Sequence, residues 1–241
     1  MDTYGRDFAA VYDAMWGFWG PRMWPFLSRQ VARRCRRART WLDLCCGAGS
    51  LLKLACEHGF EAVGLDRSPH QLRHARRNAP QARLVRGDIR SFALPRKFDV
   101  ITCLFDSLNY VTKRGEVARV FAGVRRHLAD RGLFAFDVNT LEGHLRTWRG
   151  AWIRRGKGCT ILGESSCDER THLACLRLTG FVRQGRLYRG FQEEHIQRGY
   201  TREEMDALLE RAGFGFTRYN GNALNRRVAH AARLLYVCWR A

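Results

Sequence analysis

The sequence predicts an α/β protein in which helices cover both faces of a mostly parallel, seven-stranded sheet. From Thr40 to Val138, short strands alternate with helices, and most of these strands are mainly apolar. Strands of this kind are buried on both faces, which is typical of parallel sheets between helices. After Thr140, longer strands are separated by short turns, a pattern that predicts antiparallel hairpins. The expected fold therefore combines an α/β core with a small antiparallel β insert.

The first 39 residues are predicted to be helical. Apolar residues recur there at spacings of three and four, as in an amphipathic helix: Phe8, Val11, Tyr12, Met15, Phe18 and Trp19. Pro21 and Pro25 are expected to end this helix, because proline lacks the backbone donor that a helix interior needs. A second helix is then expected from about Trp24 to Arg37.

Residues 40–140 and 198–241 are predicted to form the core domain. Its strands are expected at Trp41–Leu44, Glu61–Leu65, Arg83–Arg86, Phe98–Leu104, Gly132–Val138, Phe214–Arg218 and Arg233–Trp239. Two of the intervening helices have recognisable starts. Ser68 is an N-cap residue followed by Pro69 at the first helical position, and Thr201-Arg202-Glu203-Glu204 is a capping box.

Residues 141–197 are predicted to form the insert. Its strands are expected at Thr160–Glu164, Thr171–Val182 and Arg186–Gln197. Because short turns join them, we expect a three-stranded antiparallel meander.

The chain carries 42 basic and 23 acidic residues, a net charge of +19. An excess of this size suggests an anionic partner such as nucleic acid. However, 38 of the basic residues are arginine, a bias that genome base composition also produces. The arginines are scattered, and their densest run, at 33–39, is typical of a solvated helix face. Nucleic acid therefore stays open as an alternative partner without being favoured.

The nine cysteines include no Cys-x-x-Cys pair, so their spacing supports neither a zinc site nor a disulfide framework. We expect reduced thiols in a cytoplasmic protein that has no metal. No apolar stretch approaches the roughly 20 residues of a membrane span, and the first residues do not resemble a signal peptide.

A glycine-rich turn, Cys45-Cys46-Gly47-Ala48-Gly49-Ser50, follows the first core strand. Glycines there let the backbone approach a ligand beside the free N–H groups of the next helix. Leu52 stands where a dinucleotide motif has Gly or Ala, which argues against NAD. Asp66 and Asp88 end the next two strands, at the sheet edge where ligands bind in such folds.

These carboxylates suit a nucleoside. Asp66 can accept hydrogen bonds from both hydroxyls of a ribose. An amino-bearing base can donate to Asp88 while Ile89 packs on one of its faces, and Phe105, just past the fourth strand, is expected to cover the other.

The motifs resemble those of the class I S-adenosylmethionine-dependent methyltransferases. The matching segments, between residues 41 and 140, are LDLCCGAGS, GLDRS, RGDIR, FDVITCLFDSLNY and GLFAFDVNT. The resemblance implies a Rossmann-like methyltransferase fold and S-adenosyl-L-methionine as the cofactor. It also implies that Asp43 anchors the turn or reaches the methionine amine, and that Gly47 and Gly49 line the cofactor. Cys45 departs from the family, which usually has glycine there.

For the nucleoside, the same resemblance implies that Asp66 holds the ribose and that Asp88 with Ile89 holds the adenine. The chain looks most like small-molecule methyltransferases that act on amines, such as the sugar-amine N-methyltransferases and glycine N-methyltransferase. The helix with Ala10-Val11-Tyr12-Asp13 resembles their cofactor lid, in which Tyr12 would approach the methionine carboxylate. The insert resembles their substrate cover, and the segment from His195 to Thr201 recurs in related chains.

Transfer of a sulfonium methyl group needs alignment, desolvation and a proton acceptor. The candidates at the ends of the fourth and fifth strands are Asp106, Asn109, Tyr110, Asp137 and Asn139. The predicted catalytic residues are Tyr110 and, from the insert, His195, because imidazole titrates near neutral pH.

Each candidate also has a purely structural interpretation. Asn109 and Tyr110 would then shape the turn, Asp137 would cap a neighbouring loop, and His195 would be a packed histidine beside Phe191 and Glu193 on one strand face. Tryptophans 16, 19 and 24 would pack in the core rather than form an aromatic cage for a cation.

The sequence therefore predicts an enzyme that methylates a small-molecule acceptor, an amine in the favoured interpretation, as a monomer or homodimer. The alternatives are a small-molecule O-methyltransferase, a nucleic-acid methyltransferase suggested by the net charge of +19, and a cofactor-fold protein with a binding role. Against nucleic acid, Phe105-Asp106-Ser107-Leu108-Asn109-Tyr110 stands where base-amino methylases have Asn/Asp-Pro-Pro-Tyr/Phe.

Overall fold

The computed structural model describes residues 4–241, without the side chains of Asp13 and Ala14. The first three residues of the predicted helical segment lie outside that range. The strands are β1 (Thr40–Leu44), β2 (Glu61–Asp66), β3 (Arg83–Arg86), β4 (Phe98–Cys103), β5 (Leu128–Asn139), β6 (Gly150–Gly156), β7 (Cys159–Cys167), β8 (Leu173–Gln184), β9 (Leu187–Arg198), β10 (Phe214–Asn220) and β11 (Arg233–Arg240). The helices are α1 (Arg6–Trp16), α2 (Trp19–Arg34), α3 (Ser50–Glu57), α4 (Pro69–Asn78), α5 (Arg114–His127), α6 (Leu141–Thr147) and α7 (Arg202–Arg211).

Seven strands form the central sheet, in the order β10-β11-β5-β4-β1-β2-β3. Strands β1 to β5 are parallel to one another, and β11 is antiparallel to both β5 and β10. The carboxyl ends of β1 to β5 therefore meet at one edge, where ligands bind in sheets of this type. The predicted mostly parallel α/β fold is confirmed.

Two apolar cores lie on the two faces of the central sheet. One contains the inner faces of α5 and α7, with Phe121 and Met205 among its buried residues. The other contains the inner faces of α2 and α3, with Leu27 and Leu52. Both predicted helix starts are present, because Ser68 accepts the N–H of Gln71 and the capping box of α7 forms in both directions.

The second helix begins earlier than the sequence predicts. Pro21 and Pro25 do not precede α2 but lie inside it, and the helix ends at Arg34. Pro21 falls in the first turn, where a backbone N–H has no helical partner to lose. Pro25 does remove a helical donor, but the same helix buries Met23, Leu27 and their neighbours against the core. Burial of that apolar face outweighs one lost hydrogen bond.

The insert contains a four-stranded antiparallel sheet in the order β6-β7-β8-β9. The prediction of three strands was wrong by one, since it omitted the edge strand β6; it also omitted the short helix α6. A third apolar cluster joins this sheet to α1, with Phe8 and Met15 packed against Ile161 and Leu178. The N-terminal helix is therefore held against the insert.

Within residues 4–241, no helix is long and apolar enough to cross a membrane. All nine cysteines are free thiols.

Candidate active site

The turn after β1 brings the backbone to an open cavity. Cys45, Gly47 and Gly49 all have positive φ, at 55°, 52° and 81°, a conformation in which glycine has no steric cost. A Cβ on Gly47 would meet only a Tyr12 ring carbon, at 3.9 Å, whereas a Cβ on Gly49 would lie 3.1 Å from Ala75. Gly47 therefore faces the cavity, and Gly49 lets α3 and α4 pack closely.

Cavity A lies over the ends of β2 and β3 and encloses about 740 Å³, its open mouth included. Among the residues that line it are Gly47, Asp66, Gln71, Asp88 and Ile89. Four of these residues, Gly47, Asp66, Asp88 and Ile89, are predicted from the sequence to contact a nucleoside or to form the turn beside it, and the structure brings them together. Gln71 was not predicted.

Asp66 is fixed by backbone donors. The N–H groups of Gly47 and Ser68 donate to its two carboxylate oxygens, at 2.9 and 2.8 Å. Burial raises the pKa of Asp66, and these two hydrogen bonds partly oppose the rise. The carboxylate therefore links the glycine turn to the start of α4 at the wall of cavity A.

Asp88 already has a partner. Arg90 donates to both oxygens, at 2.9 and 2.6 Å, and these hydrogen bonds lower the pKa of Asp88. Arg90 also lines cavity A. An amino group in this cavity would therefore share an ionised carboxylate with a guanidinium.

Gln71 is 1% exposed, and neither its amide nitrogen nor its amide oxygen has a hydrogen-bond partner among residues 4–241. Two unpaired amide atoms in an apolar interior cost free energy, so buried polar groups of this kind usually have partners. A sequence signal for Gln71 exists, because it shares the inner face of α4 with Leu72 and Ala75.

Cavity B adjoins cavity A on the other side of Gly47. Its lining includes Tyr12, Trp19, Asp43, Gly47 and Phe105. Asp43 is 4% exposed and accepts the Thr102 hydroxyl at 2.6 Å. Burial raises the pKa of Asp43 to about 7, against which the Thr102 hydrogen bond acts. The site thus contains a buried carboxyl group that titrates near neutral pH.

Phe105 does not line cavity A, where it was expected to cover the face of the base opposite Ile89. It lines cavity B rather than cavity A, with its ring 5.1 Å from that of Trp19 and 6.2 Å from that of Tyr12. The backbone of Phe105 has a positive φ of 58°, and its N–H donates to Asp137 at 2.5 Å. This turn directs the ring away from Asp88 and Ile89.

Cavity C lies between α1, the insert and the ends of β4 and β5, and encloses about 1250 Å³ with its mouth. Eight aromatic side chains line it: Tyr4, Phe8, Tyr12, Trp16, Phe105, Tyr110, Trp148 and Trp152. Tyr12 also lines cavities A and B. The three cavities therefore meet at this side chain, which the sequence assigned to a lid.

Tyr110 and His195 come together at the wall of cavity C. The Tyr110 hydroxyl lies 3.0 Å from Nδ1 of His195. His195 is 1% exposed, and its Nε2 lies 3.3 Å from the Glu193 carboxylate, without the alignment of a hydrogen bond. Burial, together with the nearby Asp106 carboxylate, raises the pKa of Tyr110. The two residues named as catalytic candidates thus form one hydrogen-bonded pair.

A buried ion pair supports the floor of cavity C. Arg233 of β11 contacts Asp106 at 2.7 Å and Asp137. Gln197 donates to Asp106 at 2.5 Å. No sequence pattern points to Arg233 and Gln197, since only the fold brings them beside carboxylates far away in the chain.

Several candidates have structural roles. Asp137 caps the turn at Phe105, and the Asn109 amide donates to the backbone of Asn139 and Arg198. The three N-terminal tryptophans do not form one cage: Trp16 lines cavity C, Trp19 packs on Phe105, and Trp24 packs on Trp41.

Comparisons with known proteins agree with this geometry. A family model described as a methyltransferase domain matches residues 42–132. The dTDP-4-amino-2,3,4,6-tetradeoxy-D-glucose N,N-dimethyltransferase of Saccharopolyspora spinosa is 31% identical over 221 residues, 88% of this chain and 86% of that protein. The dTDP-3-amino-3,4,6-trideoxy-alpha-D-glucopyranose N,N-dimethyltransferase of Streptomyces venezuelae is 28% identical and covers 76% of this chain and 78% of its own length.

The fold also matches that of a solved structure. An S-adenosylmethionine-dependent methyltransferase from Clostridium acetobutylicum superposes with a TM-score of 0.86 over 98% of both chains, at 24% identity. Motif order, sheet order and these relatives lead to one conclusion: the chain belongs to the class I S-adenosylmethionine-dependent methyltransferases.

Proposed function

We propose that the enzyme transfers a methyl group from S-adenosylmethionine to the amino group of an amino sugar, with the cofactor in cavities A and B and the acceptor in cavity C. The observation that carries this proposal is the junction of the three cavities at Tyr12, beside the Tyr110–His195 pair. When bound, the cofactor supplies a methyl group already activated by a sulfonium centre.

The residues of cavity A fit the adenosine part of the cofactor. Asp66 offers carboxylate oxygens for ribose hydroxyls, Ile89 offers an apolar surface for the base, and Gln71 offers an unpaired donor and acceptor. Asp88 is assigned to the adenine, and it shares that contact with Arg90.

The residues of cavity B fit the methionine part. Asp43 is a buried carboxyl group that a cation stabilises in its ionised form. Trp19 presents a buried indole N–H with no partner among the described residues, a donor suited to a carboxylate. Gly47 keeps the turn close to the ligand, and Tyr12 and Phe105 cover it.

The acceptor assignment rests on the relatives and on the lining of cavity C. Both sequence relatives described above are named as N,N-dimethyltransferases of dTDP-linked amino sugars. The carboxylate of Asp106 lines the cavity and suits an ammonium group. At another part of the lining, Arg154 lies over the rings of Trp16 and Trp152, at 5.4 and 6.0 Å. Its guanidinium suits the phosphates of a nucleotide carrier.

The side chains of Tyr110 and His195 can take up the proton that the amine loses on methylation. An amine that gains a methyl group by attack on the methyl carbon must lose a proton, while the carbon–sulfur bond breaks. Its N–H lies within reach of the Tyr110 hydroxyl if the amine is bound at the junction. Tyr110 can accept that proton while it donates its own to Nδ1 of His195, 3.0 Å away.

The test is a mass-spectrometric assay with S-adenosylmethionine and three acceptors: a dTDP-linked amino sugar, the free amino sugar, and the dTDP-linked sugar with hydroxyl in place of the amine. We expect methyl addition to the first at the highest kcat/KM and no addition to the third. Methylation of the hydroxyl sugar at an equal rate would instead identify an O-methyltransferase.

The net charge of +19 is the observation that favours a second candidate, a nucleic-acid methyltransferase. Its test is binding to single-stranded and duplex RNA and DNA, whose affinity must fall steeply with salt if phosphate contacts carry it. Affinity that is absent, or that does not respond to salt, excludes this candidate.

We also propose that the enzyme is cytoplasmic, a location that its nine free thiols support. We further propose that it is a monomer or a homodimer, two states that sedimentation will distinguish.

A further inference from the structure

Glu193, on β9, holds the start of the chain in place. Its two carboxylate oxygens accept the backbone N–H groups of Tyr4 and Gly5, at 2.8 and 2.6 Å. The Glu193 side chain is 8% exposed. A carboxylate that binds two successive backbone donors in a buried position makes charge-assisted hydrogen bonds, which are among the stronger ones in proteins.

The segment of Tyr4 and Gly5 lies between cavity A, assigned to the cofactor, and cavity C, assigned to the acceptor. Tyr4 lines both cavity A and cavity C. Its carbonyl accepts the Ser68 hydroxyl at 2.9 Å, and its own hydroxyl lies 3.2 Å from that of Tyr110. Tyr4 has a positive φ of 63°, a conformation unfavourable for a bulky residue. Side-chain contacts to α4, β9 and Tyr110 hold it there.

The same carboxylate lies beside His195. Residues 193 and 195 share one face of β9, since side chains alternate along a strand, and the Glu193 oxygen is 3.3 Å from Nε2 of His195. The Tyr4 ring packs on the imidazole, with 5.4 Å between ring centres. Glu193 thus contacts both the N-terminal segment and the far side of the histidine that holds Tyr110.

We propose that Glu193 is a positioning residue that couples closure of the Tyr4–Gly5 segment to the orientation of His195, and thereby of Tyr110. The part that concerns His195 rests on the proposed function. When the segment is closed, the two N–H groups fix the Glu193 carboxylate, and Tyr4 fixes the imidazole and the Tyr110 hydroxyl. When it is open, the carboxylate loses two donors, and the Tyr110–His195 pair loses its cover.

The experiment compares Glu193→Gln with a matched control, Glu194→Gln. Glu194 is the next residue on the opposite face of β9, where it is 44% exposed and pairs with Arg177 at 3.0 Å. Hydrogen exchange of the peptide containing Tyr4 and Gly5 is measured by mass spectrometry, together with kcat and KM for the amine. In Glu193→Gln we expect exchange at least 10-fold faster and kcat at least 10-fold lower, with KM changed by less than threefold. The control is expected to match the wild type.

Glu193→Asp guards against misfolding, since it keeps the charge and shortens the reach; we expect intermediate exchange and intermediate kcat. Equal exchange in the Gln variants at positions 193 and 194 would overturn the proposal, and so would fast exchange with an unchanged kcat. If the wild-type enzyme methylates none of the amines, the proposed function fails, and the exchange comparison still decides whether Glu193 holds the segment.

Discussion

Replacement of Asp43 by asparagine should stabilise the ligand-free protein relative to the wild type as the pH rises, while it weakens cofactor binding. Asp43 is buried, and its pKa rises from an ordinary 3.8 to about 7. Between pH 3.8 and about pH 7, Asp43 therefore carries a proton in the folded protein and has lost it in the unfolded chain. Stability must fall as the pH rises through this window, and the loss is complete above pH 7.

The size of the effect follows from the pKa. Each unit of difference corresponds to about 1.4 kcal/mol. Between pH 5.5 and pH 8.5, only the part of the window up to a pKa of about 7 contributes, so the wild-type protein should lose about 2 kcal/mol from this group. For a chain of this size, that is a fall in Tm of about 4–8 °C. Asparagine keeps an oxygen for the Thr102 hydroxyl but has no charge, so this loss should be absent in Asp43→Asn.

The assay is thermal unfolding of both ligand-free proteins at the two pH values. Groups that do not interact with Asp43 titrate alike in both proteins and cancel in the comparison. Asp66, whose charge contributes to the raised pKa of Asp43, is expected to ionise more easily in Asp43→Asn. Asp43→Asn should gain about 2 kcal/mol on the wild type from pH 5.5 to pH 8.5, and calorimetry should show its S-adenosylmethionine affinity greatly reduced. Parallel loss of stability in the two proteins would refute the reasoning, because Asp43 would then be ionised at little cost.

Four further substitutions have definite outcomes. Asp66→Ala should weaken S-adenosylmethionine binding about 100-fold or more in calorimetry, because it removes the carboxylate from cavity A and frees the glycine turn. Gln71→Met should raise the Tm of the ligand-free protein, since it removes an unpaired buried amide, while cofactor affinity falls about 3- to 10-fold; a change of the same sign in both would contradict its role. Tyr110→Phe should lower kcat about 100-fold with a near-normal affinity for S-adenosylhomocysteine. Arg233→Met should destabilise the protein by about 3–5 kcal/mol in urea unfolding, because two buried carboxylates lose their cation.

The sequence predicts the core well because the core obeys local rules. Strands such as Phe98–Cys103 are mainly apolar and buried, and the caps at Ser68 and Thr201 use short-range hydrogen bonds. The edge strand β6 was missed because it has no apolar alternation and is almost wholly exposed. Among residues 4–241 it pairs with β7 alone, so a contact between separate strands decides whether it forms.

Some residues of the candidate site are likewise predictable from local sequence, whereas others depend on the fold. Asp43 and Asp66 lie at the carboxyl ends of β1 and β2, and Gly47 lies just after β1, so the order of the motifs along the chain places them at one edge of the sheet. Phe105 lines cavity B rather than cavity A, because the direction of its ring depends on two successive residues with positive φ. No local sequence pattern predicts these two conformations. Arg233 lies 127 residues from Asp106, and only the fold reveals that they pair.

The net charge of +19 is not reproduced in the cavities. Within the described part of the chain, their lining carries the carboxyl groups of Asp43, Asp66, Asp88 and Asp106 and, in equal number, the guanidinium groups of Arg67, Arg90, Arg154 and Arg233. The arginines that dominate the total lie mostly on the surface, where charges are screened within about 8 Å at physiological salt. The carboxylates of Asp106 and Glu193 lie close enough to raise the pKa of the Tyr110 hydroxyl, and Asp106 is paired with Arg233. These carboxylates attract an ammonium group and repel a polyanion, so the local charge at Tyr110 favours an amine.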